Sequence, residues 1–149
     1  MSQQQLQQLS QELQEIEQQV QTLQAEVEAT QEEKSNVDEA IDALGSLETD
    51  STVQVPIGGG AYLRATIEDI DEVIVDLGGD YAAELEEDDA VSALESKKEN
   101  LDEQISDLNG EISELQTEQE QLEQQAQQIQ QQAMQQQLQG MQGQGQDDE

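Results

Sequence analysis

The chain carries few side chains suited to reaction chemistry. It has no histidine and no cysteine, and its four basic residues stand against 36 aspartates and glutamates. A general base would have to be a carboxylate, and no pair of carboxylates falls in a predicted pocket. The acidic run Glu84-Leu85-Glu86-Glu87-Asp88-Asp89 lacks the ordered oxygen ligands and central glycine of a calcium loop, and reads as solvated surface. Gly58-Gly59-Gly60 lacks the Gly-Lys-Ser/Thr ending of a phosphate loop and reads as a turn. Arg64 lies on a predicted strand, where it is available for an ion pair. The expectation is a protein with no catalytic residues, no metal site and no cofactor.

What remains is apolar chemistry, in two places. Near the chain ends lie Leu6, Leu9, Ile129, Met134, Leu138 and Met141, and all three methionines, Met1 included, fall at or beyond the last good seam positions. Flexible thioethers and aliphatic side chains of this kind suit contact with varied apolar segments. The ordinary alternative, seam packing, is the expected role of Leu13 and Leu122. In the middle lie Val53, Val55, Ile57, Leu63, Ile67, Val73, Val75, Leu77 and Tyr81, spaced for strands whose edges invite pairing with other chains.

The elements that must position these groups follow from periodicity. Leu6, Leu9, Leu13, Ile16, Val20, Leu23, Val27, Thr30, Lys34, Val37, Ile41 and Leu44 alternate at spacings of three and four, a coiled-coil seam. A second seam runs Val91, Leu94, Lys98, Leu101, Ile105, Leu108, Ile112, Leu115, Gln119, Leu122, Ala126, Ile129 and Ala133. Ser2 with Gln5 has capping-box spacing, and Gly45 is the expected left-handed end of the first helix. The second is expected to start near Asp88 or Asp89. Between the helices, two alternating runs flank Gly58-Gly59-Gly60 and two more flank Gly78-Gly79-Asp80, which predicts two β-hairpins with Pro56 at an edge or strand end. The expected division is a helix over 1–45, a β insert over 46–87, a helix over 88–138 and a disordered Gly/Gln/acidic tail over 139–149.

Pairing Ile41 with Leu94 puts Leu23 opposite Ile112, Leu9 opposite Ala126 and Met1 opposite Met134, so the helix lengths suit an antiparallel hairpin with both free ends at a distal tip. Lys34 and Lys98 then occupy adjacent seam layers, a place where polar residues commonly fix register. Most other positions flanking the seam are acidic or Gln, leaving few opposite-sign pairs. The insert lacks an aromatic core and has open edges, so it is expected to be an assembly platform.

Composition limits the classes of function. Without Phe or Trp, and with 33% hydrophobic residues, a compact globule is not expected. A formal net charge of −32 argues against binding nucleic acid or anionic membrane surfaces, which requires Lys and Arg. It also implies strong self-repulsion at low ionic strength, screened in molar salt where the Debye length is about 3 Å, and so a high-salt cytoplasm. The start lacks a signal-peptide pattern and no apolar run spans a membrane, so a cytoplasmic location is expected.

The segments Val53-Gln-Val-Pro-Ile-Gly-Gly-Gly-Ala-Tyr-Leu-Arg-Ala65 and Val75-Asp-Leu-Gly-Gly-Asp-Tyr-Ala-Ala-Glu84, set between two long seam helices, resemble the prefoldin family, specifically its archaeal α class. Two hairpins favour that class, since the β class carries one. The resemblance implies an α+β fold, a long antiparallel two-helix coiled coil flanking a two-hairpin insert that joins an intersubunit β-barrel. It further implies an ATP-independent co-chaperone of two α and four prefoldin β subunits. Its tips would hold unfolded proteins and pass them to a group II chaperonin. A structural coiled-coil tether, assembled through the same insert but binding no clients, is the alternative reading.

Overall fold

A computed structural model describes residues 2–147. The element order is α1 (Ser2–Ser46), β1 (Thr52–Gly58), β2 (Ala61–Thr66), β3 (Val73–Gly78), β4 (Tyr81–Leu85) and α2 (Glu87–Asp147). The chain divides into two compact units, Met1–Val27 with Ser106–Glu149, and Glu28–Ile105.

In the first unit a cluster forms where α1 meets α2. Ile16, Val20 and Ile112 are buried, with Leu23, Val27, Leu115 and Leu122 packed on them. Leu23 and Ile112, facing partners by heptad arithmetic, thus share one core, and Leu122 takes its expected packing role. In the second unit the buried apolar residues are Val37, Val75, Ala90 and Leu101. The two helices run antiparallel there: Lys34 on α1 meets Asp102 on α2, while Asp38, one turn further along α1, meets Lys98, one turn earlier on α2. Every seam position from Leu6 to Leu44 and from Val91 to Ala133 is buried or half-buried, Lys34 and Lys98 included. Apolar side chains at alternate three- and four-residue steps have no other route out of water on a helix.

The two hairpins are separate two-stranded antiparallel sheets, β1 with β2 and β3 with β4. In each, an irregularity one residue before the turn precedes a two-residue loop. Gly58 pairs with Ala61 around Gly59-Gly60, and Gly78 with Tyr81 around Gly79-Asp80. All four loop residues have positive φ (60°, 79°, 61° and 62°), the signature of a type I′ turn whose twist matches the strands. The Asp76 carboxylate accepts from the Gly78 N–H at 2.9 Å and secures the second turn.

Three expectations change at element ends. Gly45 is helical rather than left-handed; α1 continues to Ser46, whose hydroxyl donates back to the Ala43 carbonyl at 3.2 Å. The left-handed residue comes later, at Asp50 with φ 72°, a residue type that tolerates this region. Helix α2 begins at Glu87, one residue before the expected window. Its first turn is acidic, and the Asp71 carboxylate from the inter-hairpin loop accepts from the Glu87 N–H at 3.5 Å. At the other end α2 continues to Asp147, through the stretch expected to be a disordered tail from 139. Glutamine is a good helix former, and each glycine there raises the cost by only about 1 kcal/mol relative to alanine. The last two residues of that tail lie outside the described residues, as does Met1.

Candidate functional site

The insert is tied down by its loops. The Ile70 N–H donates to the Thr49 hydroxyl at 3.1 Å, Ile67 N–H to the Ser51 carbonyl at 2.9 Å, and Asp50 N–H to the Ile67 carbonyl at 2.8 Å. Ile67 therefore lies just past β2, in the joint between the hairpin and its flanking loops rather than on the strand. Val73, Ile74 and Val75 line one groove with Ala40, Ala43, Leu44 and Leu94, Val73 half-buried and Ile74 largely exposed. Val75 is buried.

The other expected assembly residues divide between half-buried and exposed. Val53 and Ile67 are half-buried, whereas Val55, Ile57, Leu63, Leu77 and Tyr81 are exposed. Tyr62 and Ile74 are exposed as well, Ile74 to 75%. Ile74 is missing from the sequence-derived set. Strand alternation could have found it: with Val73 half-buried and Val75 buried, the residue between them falls on the opposite face. Two hairpins with free edges thus leave seven apolar side chains exposed, spread over the faces of two separate two-stranded sheets.

The helix-end residues divide similarly. Leu6, Leu9 and Ile129 occupy half-buried seam positions. Met134, Leu138 and Met141 are exposed at 64%, 58% and 74% and follow the last seam residue, Ala133. Arg64 pairs with Gln54 across the β1–β2 ladder, and no ion pair to it is found among the described residues. Two of the chain's four cations are paired. Lys34 Nζ lies 2.6 Å from Asp102 Oδ1, and Lys98 Nζ 2.6 Å from Asp38 Oδ1. Lys98 is held above the ordinary lysine range, first by its hydrogen bond to Asp38 and then by that carboxylate's charge, with Asp102 and Asp42 adding to it. Among the described residues no cluster of acidic side chains is arranged to hold a metal, and no helix is long and apolar enough to cross a membrane.

Two open-edged hairpins set between two long seam helices define an α+β coiled-coil fold with apolar side chains exposed on the hairpins and past the seam. The family model described as "Prefoldin subunit" matches residues 16–132. The chain belongs to the prefoldin family, a family of chaperones. It is similar to proteins named "Prefoldin subunit alpha" from halophilic archaea. Identity is 63% over 105 residues with that of Halorubrum lacusprofundi (70% of this chain, 69% of the relative) and 66% over 105 residues with that of Halobacterium salinarum (70% and 68%). With that of Haloarcula marismortui it is 64% over 76 residues, about half of each chain (51% and 49%). A cryo-EM structure of filamentous PFD from Methanocaldococcus jannaschii superposes with a TM-score of 0.67 at 27% identity, covering 75% of this chain and 95% of that one. The family match stops short of Leu6, Leu9, Met134, Leu138 and Met141, whose role rests on their own surroundings.

Proposed function

We propose that this chain is an α-class subunit of an ATP-independent co-chaperone that captures non-native polypeptides at its helix ends and delivers them to a group II chaperonin. The observation that carries capture is the run Met134, Leu138 and Met141, one to two turns apart and exposed where the seam has ended. Such side chains can cover apolar surface on a client without a shaped pocket. Leu6, Leu9 and Ile129 lie on the seam face and would add a second apolar surface wherever the helix ends part. Partners follow from the hairpins: Val55, Ile57, Leu63, Leu77 and Tyr81 are offered to strands of prefoldin β subunits, in an assembly of two α and four β chains forming a β-barrel. Halophilic relatives and a net charge of −32 support a salt-rich cytoplasm as the working compartment.

The test mixes the α/β complex with a chemically denatured model protein in molar KCl without ATP, and follows aggregation by light scattering. Suppression is expected, and is expected to be lost when Met134, Leu138 and Met141 are all changed to Gln. An intact complex that leaves aggregation unchanged favours the second reading, a tether that assembles through the insert and holds no clients.

A further inference from the structure

The two ion pairs come from one motif used twice. Lys34-Ser-Asn-Val-Asp38 on α1 and Lys98-Glu-Asn-Leu-Asp102 on α2 share the pattern Lys-x-Asn-aliphatic-Asp. Each lysine meets the other motif's aspartate at 2.6 Å, and each motif's aliphatic residue is buried, Val37 at 6% and Leu101 at 5%. The arrangement is reciprocal, as about a local two-fold axis between the helices. We propose that these two segments are a self-complementary clasp that selects the orientation and register of the α1–α2 pair.

Elsewhere the seam is mostly aliphatic and its flanks mostly acidic or Gln, so neighbouring registers bury similar surface. The clasp distinguishes them. Parallel pairing at the same level would set Lys34 beside Lys98 and Asp38 beside Asp102, two repulsive contacts. A slip of one heptad replaces Asp38, the partner of Lys98, by Gly45 or Gln31, and Lys34 then finds a carboxylate, Glu95, in only one of the two directions. A lysine in an aliphatic seam costs stability, and its return is a unique alignment. The inference stands whether or not the helix ends capture clients.

The chain has no cysteine, so spin labels can be placed singly. Labels go on the full chain at Glu32→Cys and Glu103→Cys, both exposed and outside the motif. The labelled chain is diluted into unlabelled chain in molar KCl, and the distance distribution is measured by pulsed electron resonance. The parent should give one narrow peak. Changing both Lys34 and Lys98 to Leu should raise the melting temperature yet add a second, longer-distance population, in which one helix has slid along the other by about 10 Å, seven residues at about 1.5 Å each, and the labels no longer stand level. Exchanging one pair, Lys98→Asp with Asp38→Lys, should keep the single peak, while Asp38→Lys alone should broaden it. A double-leucine variant with the parent's single peak would overturn the proposal, as would a charge-exchanged variant as broad as the single reversal.

Discussion

At the scale of single residues, exposure separates side chains that hold the chain together from those left for partners. Leu101 is 5% exposed and Leu138 58%, although both are leucines on α2. Leu101→Ala removes buried methyl groups and leaves a cavity, so it should cost about 2–4 kcal/mol in a denaturant melt. Leu138→Ala should stay within about 0.5 kcal/mol of the parent. If Leu138→Ala proves as costly as Leu101→Ala, that side chain is packed and unavailable to a client. Lys98 gives a pH dependence of definite sign. Asp38 raises its folded pKa above the unfolded value near 10.5, so the charged pair contributes fully at neutral pH. That contribution falls away as pH rises through the folded pKa. The parent's melting temperature should therefore drop more between pH 10 and pH 12 than that of Lys98→Gln, and equal drops would remove the pair from the account.

At the scale of elements, the helices were legible in the sequence almost residue by residue. An aliphatic side chain every three or four positions has a single way to leave water, and each expected seam residue is buried or half-buried. The hairpins were legible too, because Gly-Gly and Gly-Asp impose turn geometry locally. What escaped depended on contacts distant in sequence. The left-handed residue falls at Asp50, whose N–H is held by the Ile67 carbonyl, rather than at Gly45, and the start of α2 is shared with Asp71, 16 residues away. The aspartates opposite Lys34 and Lys98 were hidden among acidic flanks, although the repeated Lys-x-Asn-aliphatic-Asp pattern marks them. On β3, alternation buries Val75 and leaves Ile74 exposed, so substitutions at neighbouring positions should act on different properties. Val75→Ala should destabilise the chain by about 1–3 kcal/mol. Ile74→Glu should leave the unassembled chain's melt unchanged and weaken association with β subunits, read by sedimentation. Normal assembly of Ile74→Glu would leave that face outside the interface.

At the scale of the whole molecule, charge sets the conditions under which the fold holds. With 36 acidic residues against four basic ones, repulsion outnumbers attraction at every range. Glu28–Ile105 holds 23 of the acidic residues and all four basic ones, so the units differ in whether any opposite charge is at hand rather than in the amount of acid. Glu15, Glu111, Glu114 and Glu118 rim a groove floored by Leu23 and Leu115 in the unit that holds the helix ends, whereas both ion pairs belong to the other unit. Raising KCl from about 0.1 M to 1 M shortens the Debye length from about 10 Å to about 3 Å, which relieves the glutamate rim and weakens the partly exposed ion pairs. The net effect should be a higher melting temperature. Amide exchange should slow more around Leu23 and Leu115 than around Val37 and Leu101. Salt could also act by strengthening apolar burial, and an uncharged osmolyte separates the two causes. Sucrose favours burial through exclusion from the protein surface but screens no charge. If sucrose reproduces both the rise and its uneven distribution, charge is not the cause; if only KCl favours the Leu23–Leu115 region, self-repulsion limits the unit that carries the candidate capture surface.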